Sequence, residues 1–116
     1  MATNLIPQQD WKEWLNAWSK GHLGRPIHIQ AFGPGTGSHE ELHGLPFAGL
    51  IVELDGVKEP SITITAEKSI HDYIAHTVSA PVQVWSKAGE DEPGDVLEIR
   101  SADGTSTVLK FAAHAH

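Results

Sequence analysis

Apolar positions recur with a helical period near the start of the chain and with a period of two over most of the rest. Trp11, Trp14, Leu15 and Trp18 stand at i, i+3, i+4 and i+7, which is one face of a helix. Lys12, Glu13 and Asn16 fall elsewhere on the wheel. Asp10 followed by Glu13 fits a capping box, and Lys20 followed by Gly21 fits a helix end. The spacing predicts a short amphipathic helix over 10–20, too short to be stable alone and in need of a surface to dock on. The first seven residues of the chain read as a loose lead-in.

From Arg25 the period is two. Ile27, Ile29 and Ala31 share one side of a strand, with His28, Gln30 and Phe32 on the other. Gly33 to Ser38 has loop composition, and the loop is expected to run to Gly44. A strand over 47–54 sets Leu50, Val52 and Leu54 against Ile51 and Glu53, and Asp55-Gly56 ends it. Pro60 opens the next, where Ile62 and Ile64 alternate with Ser61, Thr63 and Thr65. After Pro81, Val82 and Val84 oppose Gln83 and Trp85, and a charged loop follows over 87–94. Val96–Arg100 and Thr107–Phe111 flank Ala102-Asp103-Gly104-Thr105, the signature of a tight hairpin. The tail 112–116 is expected to fray.

Residues 67–78 read two ways. Ser69 with Asp72 can cap a short helix carrying Ile70, Tyr73 and Ile74 on one face, or the stretch is a loop. No other stretch offers a crossover helix, so a doubly wound parallel sheet is not the expected fold. The expected fold is one α+β domain over 1–116. An N-terminal amphipathic helix packs on a curved, mostly antiparallel sheet of about six strands, a small open barrel being one form of it, with a short helical crossover near 67–78. Its core is expected to hold Trp14, Leu15, Trp18, Ile27, Ile29, Leu50, Val52, Ile62, Ile64, Val82, Val84, Leu97 and Ile99.

Asp10-Trp11 with its helix, the strand Ile27–Ala31, Leu45-Pro46-Phe47-Ala48-Gly49-Leu50, the segment Ile70–His76 and the hairpin at Asp103-Gly104 together resemble a family of small bacterial proteins of unknown function. The resemblance covers most of the chain at the level of pattern. It implies no activity and no catalytic residues. The loop 33–44 looks longer than the family pattern, so a site there would be particular to this protein.

Size and charge narrow the classes further. A chain of 116 residues has roughly 6,200 Å² of folded surface against roughly 18,300 Å² unfolded, which leaves room for one core. Without cysteine there are no disulfides, thiolate nucleophiles or cysteine-held metals. Eight basic residues against fifteen acidic ones give a net charge of −7, unfavourable for nucleic acid or an anionic membrane. The start lacks the basic and apolar regions of a signal peptide, and no apolar run reaches a membrane-spanning length. A cytoplasmic location is expected.

His39-Glu40-Glu41-Leu42-His43 matches the zinc-hydrolase pattern in which two histidines one helical turn apart hold the metal and the glutamate activates water. That chemistry needs a helix and a third ligand. Glycines before it and Gly44 and Pro46 after it oppose a helix. His71 and His76 are five apart, about 140° on a helix, and so diverge. The glycines at 33, 35 and 37 suggest an anion cradle, but no lysine accompanies them. No serine has the strained frame of a nucleophile. The aromatics carry more. Phe32 and Trp85 both fall on the polar sides of their strands, where together they would form an exposed aromatic face.

The expected function is a small non-enzymatic module without cofactor, which binds a protein partner or itself through Phe32 and Trp85. The alternative is a small-molecule or metal-binding domain using the loop 33–44. A zinc-dependent hydrolase through His39, Glu40 and His43 stands behind both.

Overall fold

The computed structural model describes residues 3–33, 37–54, 59–88 and 93–111, with the backbone path alone described at 3, 37–43, 88 and 93–95. Among them are one α-helix, α1 (Trp11–Lys20), and eight strands: β1 (Thr3–Ile6), β2 (Pro26–Gly33), β3 (Gly37–Glu53), β4 (Ser61–Ser69), β5 (Asp72–Ser79), β6 (Pro81–Ala88), β7 (Pro93–Ser101) and β8 (Ser106–Phe111). The strands form one antiparallel sheet in the order β1-β6-β7-β8-β2-β3-β4-β5, which does not close.

The helix forms where its apolar spacing predicts. Trp11, Leu15 and Trp18 are buried, and Trp14 packs against the core half-buried. Its ends differ from the expected ones. Asp10 makes no side-chain cap bond, because a 3-10 turn over Gln8–Asp10 leads directly into the helix. Gly21 keeps right-handed dihedrals, and the His22 Nδ1 contacts the Trp18 carbonyl at 2.7 Å. The Trp11 indole N–H donates to the Ile6 carbonyl at 2.9 Å in a buried bond, tying the helix to β1. Beneath the helix C-terminus Trp18, His22, Phe47 and Phe111 form an aromatic cluster with centroid spacings of 4.6–5.8 Å, His22 stacked on Phe111 and Phe47 edge-on to Trp18 and Phe111, and the Arg25 guanidinium lies 5.1 Å from the Phe111 ring.

Curvature comes from β3, which pairs with β2 up to Pro46 and with β4 from Phe47. At the change-over Gly49 has a φ of 143° and sits in a bulge opposite Thr65, whose hydroxyl donates to the Gly49 carbonyl at 3.0 Å. An added Cβ there would make only ordinary contact with the Ser19 hydroxyl at 3.6 Å, so it is the positive φ at the bulge, not want of space, that favours glycine. The bend wraps Ile27, Ile29, Leu97, Ile99 and Leu109 around to face Phe47, Ile62, Ile64, Ala66 and Val78 in one core. Leu50 and Val52 pack against it half-buried.

Several expectations are corrected. Residues 3–6 are a paired edge strand, not a lead-in. From Gly37 the backbone of the expected loop is strand, paired residue by residue with β2 across two register shifts. Residues 67–78 contain no helix; they belong to the β4–β5 hairpin, with Ile70-His71 as its two-residue turn. A helix there would have set Ile70 and Tyr73 inward, whereas they are 81% and 60% exposed. The additional strands, β1 and β5, raise the count from six to eight. Val82, expected in the core, is 51% exposed because it is the extra residue of a bulge between Pro81 and Gln83, which turns the alternation outward for one position. The β7–β8 turn is the three-residue form. Ser101 accepts from Gly104 at 3.0 Å and donates to Thr105 at 2.8 Å, with Gly104 at φ 92°. The tail 112–116 lies outside the described residues.

Candidate interaction surfaces

On the convex side of the sheet the register lines up Leu5, Trp85, Glu98, Val108 and Gln30 across β1-β6-β7-β8-β2. The next row holds Gln83, Arg100, Ser106 and Phe32. Phe32 and Trp85 therefore share a face. They do not touch: three inter-strand spacings, about 14 Å, separate β6 from β2. The intervening surface is ionic. Glu98 is only 7% exposed, and its carboxylate accepts from Lys87 and, at 3.0 Å, from Arg100. Burial raises the Glu98 pKa, but the hydrogen bonds from Lys87 and Arg100 outweigh it and hold the carboxyl below its ordinary range. Phe32 is 41% exposed, while Trp85 is half-buried with its indole Nε1 buried and unpartnered. Among the described residues Leu5, Phe32 and the outward-turned Val82 offer open apolar surface on this side of β1, β2 and β6.

The zinc pattern loses its helical frame. His39, Glu40 and His43 lie along β3, where their backbone partners are Ala31, Gln30 and His28. Four residues of strand span about 13 Å, so the one-turn approach of the two histidines is absent. Their side chains lie outside the described residues, as do residues 34–36 of the glycine-rich turn. His71 sits in the β4–β5 turn with a φ of 65°, and Asp72 and His76 are on β5. Among the described residues no three His, Asp or Glu side chains gather as metal ligands.

The surface that sequence reasoning missed is at the other end of the sheet. β5 is the outermost strand, and no strand pairs with its free edge among the described residues. Its C-terminal half, His76–Ser79, lines a cleft with Ser101 and Thr107, and Tyr73 and Ile74 are not among the residues lining it. Edge strands usually carry a lysine, a proline or a bulge that discourages pairing. Asp72–Ser79 has neither lysine nor proline, and from Tyr73 to Ser79 it pairs with β4 without a register shift. Exposed Ile70, Tyr73 and Ile74 crowd this edge, and Leu23 meets Tyr73 across a shallow groove with Pro46 and Thr65. Four of the eight exposed large apolar side chains among the described residues are thus at this end of the sheet, with Tyr73 and Ile74 on opposite faces of β5.

A family profile matches residues 2–116. The chain belongs to DUF5335, a family of unknown function. No curated protein and no solved structure matches it. The family assignment agrees with the resemblance carried by the Asp10-Trp11 helix and the closing hairpin, and like that resemblance it brings no activity. In this DUF5335 domain no helix among the described residues is long and apolar enough to cross a membrane. A signal for the β5 edge was present in the sequence. Ile74, His76 and Val78 alternate with Ala75 and Thr77, but Ile70, Tyr73 and Ile74 also satisfy a helical spacing, and the helical period hid the strand.

Proposed function

We propose that this domain is a non-enzymatic binding module that takes an extended segment of protein as an added strand on the free edge of β5. The observation that carries the reading is an edge that no described strand pairs with and that bears exposed apolar side chains on both of its faces, Tyr73 near Leu23 on one and Ile74 on the other, with Ile70 in the adjoining turn. Main-chain bonds would supply affinity and these apolar groups would select side chains. The groups best placed for chemistry have structural employment instead. Glu98 is held between two cations, and Asp103 accepts from the Thr105 amide at 2.9 Å.

A second surface is the convex face, favoured by exposed Leu5 beside the unpartnered Trp85 indole and by exposed Phe32 three strands away. Selection of a random-peptide library on the folded protein separates the two. The edge reading expects peptides of alternating apolar pattern whose binding is lost in Ile74→Lys and kept in Phe32→Glu. Binding that survives Ile74→Lys and fails in Phe32→Glu assigns the site to the convex face and overturns the edge reading.

A further inference from the structure

We infer that the strand added to β5 is β5 of a second copy of this chain, paired antiparallel about Ile74. The inference rests on the edge reading above and names its occupant. Antiparallel pairing of a strand with itself about a two-fold axis is fixed by the residue that meets its own copy. Centring on Ile74 places Asp72 opposite His76, Tyr73 opposite Ala75, and Ile74 opposite Ile74. Asp72 and His76 then meet twice, a carboxylate acceptor opposite an imidazole donor each time. The two bulkiest apolar groups of the edge are covered in the same register.

Centring one residue later, on Ala75, sets Asp72 against Val78 and Ile74 against His76, which pairs charge with aliphatic surface. It also lengthens the paired stretch from 72–76, which meets the cleft facing Ser101 and Thr107 only at His76, to 72–78, of which His76, Thr77 and Val78 all line it. Side-chain parity agrees with the chosen register. Ile74, His76 and Val78 share the face that β4 marks as inward through Ala66, Ile64 and Ile62. Exposed Ile74 at the margin of that face would gain cover from its own copy. Five paired residues form about four to six main-chain hydrogen bonds, and the two sheets become one continuous sheet.

Light scattering from micromolar to millimolar protein tests this, together with amide exchange over 72–76. The expected result is a mass rising from 12.6 kDa to twice that value with concentration. Asp72→Lys or His76→Asp alone should weaken the dimer. The pair Asp72→Lys/His76→Asp should restore it, because lysine then opposes aspartate in this register and in no other. Circular dichroism shows that each variant folds.

A chain that stays at 12.6 kDa, with freely exchanging edge amides, overturns the second copy and leaves the edge open to another strand. A monomer whose edge amides are already protected overturns the edge reading itself. A dimer indifferent to the charge exchange overturns the register.

Discussion

Trp11→Phe tests the linkage between α1 and β1. Trp11 is 1% exposed, and its indole N–H holds the carbonyl of Ile6, itself buried, at 2.9 Å. Phenylalanine fills most of the same space without the donor. Leaving a buried carbonyl unsatisfied costs about 1–3 kcal/mol. The smaller ring also leaves a void on the order of 40 Å³, about 1 kcal/mol at roughly 24 cal/mol per Å³. Together these lower stability by about 2–4 kcal/mol, a large share of the roughly 5–15 kcal/mol of a typical domain. Urea denaturation followed by circular dichroism should show the midpoint falling by about 1–2 M with an unchanged slope. Because the bond anchors β1, amide exchange in Thr3–Ile6 and its β6 partners should accelerate more than in β4–β5. A loss below about 0.5 kcal/mol, or exchange rising evenly over the sheet, would refute the reasoning, since neither fits a lost buried hydrogen bond at one strand.

Two further predictions concern charge and backbone. The Glu98 contribution is present in full above the ordinary carboxylate value of 4.5 and is lost as pH falls through the lower folded value. Glu98→Gln should therefore be less stable than wild type by about 1 kcal/mol near neutrality, with the difference closing below pH 4.5 in acid-dependent urea melts; a difference that persists in acid contradicts the ion-pair account. Ala80 and His71 hold φ values of 50° and 65°, which favour glycine. Relief of about 1–2 kcal/mol of strain, less about 0.5–1 kcal/mol for glycine's extra unfolded freedom, makes Ala80→Gly and His71→Gly each stabilising by about 0.5–1 kcal/mol in urea melts, and a loss of stability in both contradicts it.

The parts of this fold that were legible in the sequence are those settled by local pattern. Three tryptophans and a leucine at helical spacing locate α1, and Ile27/Ile29, Ile62/Ile64 and Leu97/Ile99 locate inward strand faces without reference to any partner. What was not legible depends on residues distant in sequence. Thr3–Ile6 is too short to declare itself and becomes a strand by pairing with Val84–Lys87 and by the Trp11 bond. The polar, glycine-bearing stretch from Gly37 is strand because β2 lies beside it. Val82 faces outward through a bulge set by its pairing with β7. Ile70, Tyr73 and Ile74 fit two periods, and only β4 as partner decides between them. The surfaces follow the same division. Alternation alone places Phe32 and Trp85 on one face, but the ionic contact of Glu98 with Lys87 and Arg100 between them is visible only with the strand order, as is the position of β5 at the rim.

The most direct test of the central claim is amide exchange along Asp72–Ser79 measured as protein concentration rises. The account predicts that amides not bonded to β4 exchange freely when dilute and become protected as strands add to the edge, while the opposite rim at β1 stays unchanged. Protection that does not depend on concentration, or that develops at β1 and the convex face around Trp85 instead, would contradict it.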